Sequence, residues 1–146
     1  MDDIPQAPLP SGYTMRGMSV EDIGLWTDIQ RDAEEYFEVT SSLFMNQFGD
    51  DLPSIGHRCF ILRDPAGRGI GTISAWYNRD FRGEDWGRIH WVALRPSQQG
   101  RGLGKAMLTY AMNVLARYHE RAYLDTDARR LAAVGLYQKY GFEVEE

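Results

Sequence analysis

The residues best suited to chemistry stand in one row: Gln98-Gln99-Gly100-Arg101-Gly102-Leu103-Gly104-Lys105. Glycines on alternate positions let a backbone approach a ligand with no Cβ in the way and permit dihedrals closed to other residues. The row follows an apolar, strand-like segment (residues 89–94) and opens a helix-like one (106–118). A helix start offers unpaired N–H groups and the positive end of the peptide dipoles, so the row reads as an anion cradle, best suited to phosphates. Spacing excludes two familiar phosphate loops. A Walker A loop needs glycine five residues before Gly104, where Gln99 stands, and Ser or Thr after Lys105, where Ala106 stands. The dinucleotide fingerprint needs glycine or alanine three residues after Gly102, and that residue is Lys105.

The spacing Gln99-x-x-Gly102-x-Gly104 resembles the Q/R-x-x-G-x-G/A signature of the GNAT superfamily of acetyl-CoA-dependent N-acetyltransferases. Further on, Ala133-Val-Gly-Leu136-Tyr137-Gln-Lys139-Tyr140-Gly141-Phe142-Glu143 resembles the family's A-x-x-L-Y-x-K-x-G-F-E ending. The resemblance covers residues 58–143 well and the N-terminal third only in its order of elements. It implies direct transfer of an acyl group from acetyl-CoA to a primary amine of a small molecule, peptide or protein, with no metal. An alkylammonium with a pKa of ~10.4 is neutral in only about one molecule in a few thousand at pH 7. Such a site is served by a taker for that proton, an N–H donor for the oxyanion and an acid for the leaving thiolate.

By the resemblance, Tyr137 is the acid, its phenol near the CoA sulfur; the plainer reading is a buried tyrosine packing a helix on the sheet. Strand alternation alone sets Ile89, Trp91 and Ala93 against packed helices and Arg88, His90, Val92 and Leu94 on the other face, with His90 toward the acceptor cleft. The segment 89–94 resembles the strand of family members whose histidine at this offset helps remove the proton. Many relatives carry glutamate where this chain has Arg88, which leaves histidine or water as the base, and a histidine merely hydrogen-bonded in the sheet is the other reading. Backbone amides near Ala93 and Leu94 are implied to meet the thioester carbonyl and the pantetheine arm. Gln99, Gly100, Arg101, Gly102, Leu103, Gly104 and Lys105 are implied to hold the phosphates, with Arg101 and Lys105 adding charge. Two cations at a helix start oppose the dipole, which favours a ligand there. Arg130 stands where the family often has asparagine; it either takes over the pantetheine contact or pairs with Asp127. His57, His119, Cys59 and Tyr140 read as structural.

The elements that must position these groups follow in order. Residues 1–11 read as a flexible lead-in to a single domain over 12–146. A strand (13–16) is followed by a helix to residue 33, with Ser19 as N-cap. A second helical stretch carries Tyr36 to Phe48 and ends at Gly49-Asp50-Asp51-Leu52-Pro53. Strands follow at 58–62, 69–77 and 88–94, the last two joined by a charged loop, 78–86. Helix three spans 102–118, a fifth strand 122–125 and helix four 129–140, closed by Gly141, before a last strand at 142–145. This predicts an α/β (α+β) GNAT-like domain with a mixed sheet of six strands flanked by four helices. The family's seventh strand is missing, so either the sheet is one strand short or a partner, as in a homodimer, supplies the edge; Glu143, Glu145 and Glu146 would charge it.

At 146 residues the chain suffices for one core without disulfide or metal. No apolar run approaches a membrane span and the start lacks a signal-peptide pattern. A single cysteine and scattered histidines suggest a cytoplasmic protein with no metal cluster. The net charge of -5 argues against wrapping nucleic acid. The competing function is a non-catalytic CoA-binding regulatory module.

Overall fold

The middle of the chain alternates buried residues between two faces and folds into the antiparallel centre of a sheet: β2 (Cys59–Arg63), β3 (Gly69–Phe81) and β4 (Glu84–Leu94). β1 (Thr14–Gly17) pairs with β2, and β5 (Ala122–Tyr123) pairs parallel with β4, giving the order β1-β2-β3-β4-β5. The computed structural model describes residues 4–126 and 130–143. Among these residues the helices are α1 (Ile23–Ala33), α2 (Leu43–Phe48), α3 (Leu52–Arg58), α4 (Leu103–Tyr118) and α5 (Leu131–Lys139). Period-two alternation divides the core cleanly at β2. Phe60 and Leu62 join Met107, Ala111 and Leu115 of α4 on one face; Cys59 and Ile61 join Trp26, Ile29, Phe44, Phe48 and Ile55 of α1–α3 on the other.

The described residues hold five strands and five helices where the sequence predicts six and four. Residues 142 and 143 carry no strand, and the rest of the expected last strand, with Glu145 and Glu146, lies outside the described residues. The extra helix is α3. Its run Gly49 to Pro53 reads as a stop but works as a start: Asp51 Oδ1 accepts from the Ser54 N–H at 3.2 Å, and Pro53 falls in the first turn. The expected helix over residues 36–48 shortens to α2. The charged segment 78–86 is a continuation of both strands, closed by Arg82 (φ 55) and Gly83 (φ 78). Two positive φ values in a two-residue turn are the type I′ hairpin geometry, which matches the strand twist.

Residues 4–9 lie along α4. Thr109 Oγ1 donates to the Pro5 carbonyl at 3.0 Å and accepts from the Ala7 N–H at 3.2 Å, while the amides of Gln6 and Asn113 pair at 3.0 and 3.2 Å. The Tyr140 hydroxyl sits 2.6 Å from the same Thr109 oxygen, a structural placement. Among the described residues no helix is long and apolar enough to cross a membrane.

Trp26 is 0% exposed and meets Phe44, Phe48 and Trp91 edge-on at 5.1, 6.0 and 6.2 Å between ring centroids. Trp26→Ala should cost about 3–5 kcal/mol in urea unfolding, the range for emptying a buried aromatic site. Val20→Ala, at an exposed position, should change stability by less than about 0.5 kcal/mol.

Candidate active site

β4 carries one residue more than its partner can match. Thr72 lies opposite Ala93 and Ser74 opposite His90, so Ile73 alone faces Trp91 and Val92. This is a β-bulge, and Trp91 absorbs it at φ 51, a left-handed value that bulky residues rarely take. The bulge overturns the simple alternation expected for this strand. His90 and Trp91 both turn to the α1–α2 side, where the His90 ring is 5.4 Å from Phe48 and the Trp91 ring 5.9 Å from Phe37. Ile89, Val92 and Leu94 pack on the α4 face, and Ala93 returns to the α1 side. The side chains of Ala93 and Leu94 are thus core, and their backbone is what they can offer a ligand. Pairing with β5 stops at Arg88 and Tyr123; among the described residues no strand pairs with β4 beyond that point on this side.

The glycine loop is tied to the end of this strand. Gln99 Nε2 donates to the Leu94 carbonyl at 3.0 Å. Gly100 and Gly102 take φ 80 and 77, and a Cβ on either would meet nothing of the protein within 4 Å. Backbone conformation, not crowding, therefore requires glycine, and the space above the loop is open. Leu103 anchors α4 in the core at 1% exposure, so its contribution to a ligand is its N–H. Arg101 and Lys105 are exposed at the first turn. The first N–H groups of this long helix have no intrahelical acceptor, and with the open loop they fit a phosphate group.

α5 lies against that first turn: a Cβ on Gly104 would stand 3.7 Å from Leu136 Cδ2. Tyr137, the next residue, is 9% exposed, and burial pushes its phenol up to about 12 despite the nearby Arg130 charge. The Gly141-Phe142 pair closes the helix beneath it. Gly141 N–H donates to Gln138 O at 3.0 Å and Phe142 N–H to Tyr137 O at 3.1 Å. With the Phe142 ring 6.3 Å from that of Tyr137, this is a complete Schellman closure.

Arg130 pairs with Glu34; Asp127, the partner expected on the surface, lies outside the described residues. Its Nη2 donates to both Glu34 carboxylate oxygens at 2.7 and 2.8 Å, joining the start of α5 to the end of α1. Arg88 donates to Asp125 at 3.2 Å and lies over the Tyr123 ring. His90 is 9% exposed; burial first and Arg88 second push its imidazole down to about 3. His90 and Tyr137 face opposite sides of the sheet, one against Phe48 and the other in the α4 core. Cys59 is fully buried and its thiol is pushed up to about 12 by burial, the behaviour of a packing residue. Among the described residues no three His, Cys, Asp or Glu side chains are grouped to hold a metal ion.

Sequence reasoning passed over Gln30, Glu34 and the Trp91 bulge. Gln30 carried a signal: it stands four residues after Trp26 on the buried stripe of α1, where a polar side chain is out of place.

The Acetyltransferase (GNAT) family matches this chain over residues 25–142. A mycothiol acetyltransferase of Streptomyces scabiei is 32% identical over 145 residues, which cover 94% of this chain and 45% of that protein. The chain thus spans about half the length of the curated relatives it matches. A GCN5-related N-acetyltransferase from Sphaerobacter thermophilus superposes with a TM-score of 0.79 at 23% identity, over 99% of this chain and 46% of that one. An aminoglycoside N-acetyltransferase in complex with CoA gives 0.73 at 18% identity, over 97% and 94% of the two chains.

The depressed imidazole makes a stability prediction. His90 is held neutral in the folded state and titrates near its ordinary 6.5 when unfolded. Unfolding therefore takes up a proton between pH 6.5 and about 3. The contribution is full above 6.5 and is lost as pH falls, at up to about 1.4 kcal/mol per pH unit. Urea midpoints of His90→Gln across this range should fall less steeply than the parent's, with the two curves parallel above pH 7.

Proposed function

The chain belongs to the GNAT acetyltransferase family, and from that premise we propose that it moves an acetyl group from acetyl-CoA directly to a primary amine of a small molecule or peptide. One observation carries this reading: Gln99 pins the glycine loop to the last carbonyl of β4, so an anion cradle and an unpaired strand edge form one continuous track. The cradle suits the pyrophosphate, and the strand edge suits an extended arm that carries its own amides. That track leads back along β4 to the bulge.

The amine nitrogen attacks the thioester carbonyl there and forms the new C–N bond. N–H groups around Ala93 and Leu94 take the charge that develops on the carbonyl oxygen. As the C–S bond breaks, the sulfur keeps its electron pair and receives a proton from Tyr137, whose phenol is fully protonated at neutral pH. Arg130 beside it favours the phenolate that results. His90, neutral, accepts a hydrogen bond from the amine; the ammonium gives its first proton to water before attack, and the proton that the nitrogen releases as the amide forms returns through water to the Tyr137 phenolate. The acceptor side is walled by the rings of Phe48, Trp91 and Phe37. The name of the relatives, mycothiol acetyltransferase, supports reading a small molecule as the first acceptor to test.

Thiol release from acetyl-CoA across a panel of small amines and peptide N-termini tests the proposal. CoA binding without release to any amine would make the chain a non-catalytic CoA-binding module. Two variants divide the site. Tyr137→Phe should lower kcat by about 10²-fold or more while leaving acetyl-CoA affinity near the parent's. Gly102→Val forces a β-branched residue to φ 77 and crowds the cradle. With charge-assisted bonds worth roughly 1.5–3 kcal/mol each, CoA should bind at least tenfold more weakly by calorimetry.

A further inference from the structure

We propose that Gln30, on α1, is a positioning residue for acetyl transfer: its side-chain amide holds the Trp91 peptide in the bulged conformation on which the carbonyl-binding N–H groups of β4 depend. The inference rests on the function proposed above and adds a part to it that lies outside every motif of the chain.

Gln30 is 3% exposed, and a primary amide is costly to bury unless it is hydrogen-bonded. Its Nε2 donates to the Trp91 carbonyl at 3.1 Å, across the gap between α1 and β4. That carbonyl belongs to one of the two residues that share Ile73 across the bulge, where the ladder is interrupted, and the Gln30 amide meets it from outside the sheet. The same residue stands at φ 51. The Trp91 ring is fastened separately, by an Nε1–H bond to Gln47 Oε1 at 3.2 Å and by contacts with Trp26 and Phe37. Those contacts fix the ring, while the Gln30 bond acts on the peptide plane itself, from the α1 side.

Loss of this bond leaves a buried carbonyl unsatisfied beside a strained residue, and the strand relieves both by moving toward regular pairing. A step of one residue exchanges the faces of every side chain past it. Val92 and Ala93 are the first residues past it, and the N–H groups offered to the thioester carbonyl follow them.

Gln30→Met keeps the length and volume of the side chain and removes the donor. In the full chain, calorimetry should give a CoA affinity near the parent's, because the glycine loop is untouched, and thermal melting should show a folded protein. Turnover with the best amine of the panel should fall by about ten- to a hundredfold, somewhat less than for direct loss of an oxyanion donor. The amide resonances of Val92 and Ala93 should shift in ¹H–¹⁵N spectra. Gln47→Leu, which frees only the ring, should leave turnover and those resonances near the parent's. Unchanged turnover in Gln30→Met, or a parallel loss of CoA affinity and melting temperature, would overturn the assignment. If the parent itself releases no thiol with any amine, the function proposed above is what fails; the Val92 and Ala93 resonances then judge Gln30 alone, and unmoved signals overturn its role in the bulge as well.

Discussion

One residue of surplus in β4 governs what that strand presents to α1 and α2. Ile73 faces two residues, Trp91 takes φ 51, and from that point the strand's two faces change places. Without the surplus, Trp91 and Ala93 would fall on the same face as Ile89 and press against α4. With it, Ile89, Val92 and Leu94 complete the α4 core while His90, Trp91 and Ala93 belong to the α1–α2 side. The strain of a bulky left-handed residue persists because several neighbours over-determine it. Here the Gln30 amide holds the Trp91 peptide, and the Trp26 and Phe37 rings and the Gln47 amide hold its side chain.

What the sequence made legible is what local chemistry dictates. The glycine loop and the start of α4 could be read because positive φ and an exposed helix start need particular residues. Gly141 was legible for the same reason, and its neighbour Phe142 is the apolar partner that completes the closure under Tyr137. The bulge was not legible. Periodicity reports which residues alternate in one strand, while a bulge is a mismatch between two strands, and nothing in the segment 89–94 announces a tryptophan at positive φ. The charged segment 78–86 misled through polarity. Its side chains find partners on a projecting ribbon, with Arg79 over the Tyr77 ring at 4.2 Å and Phe81 stacked on Tyr123 at 3.8 Å. The Arg130 ion pair was not legible because its partner, Glu34, is 96 residues away, at the C-terminal end of α1.

The buried charges show how tertiary pairing completes what the strands leave open. Arg58, 7% exposed at the end of α3, donates to the carbonyls of Ala75 and Trp76 at 3.2 and 3.3 Å and meets His119 Nε2 at 3.0 Å. A guanidinium only donates, so Nε2 must accept and the proton sits on Nδ1, 3.4 Å from Asp85. Burial and the Arg58 charge both hold this imidazole below its ordinary range, against the pull of Asp85. A second pair, Glu34 and Arg130, joins α1 to α5. The first network ties α3 to the middle of β3 and to the end of α4, the second ties α1 to α5, and among the described residues no strand pairs with β4 past Arg88 on the β5 side.

The same burial that shapes the site decides which proton transfers it can perform. An imidazole at about 3 and a phenol at about 12 are both neutral throughout the range in which the protein is folded and useful. An ammonium near ~10.4 would have to give its proton to His90 across a gap of about seven pH units, roughly 10 kcal/mol uphill. A direct transfer of that kind is a poor route when water and buffer can take the proton before the amine enters the cleft. What His90 can do well is accept a hydrogen bond from an amine that is already neutral and turn its lone pair toward the thioester. Tyr137 is suited to the other end of the reaction, where a donor that never ionises on its own waits for a sulfur that becomes basic only as the C–S bond breaks. In the function proposed above, the titration that governs attack then belongs to the substrate, and the protein contributes geometry on one face of the sheet and a proton on the other.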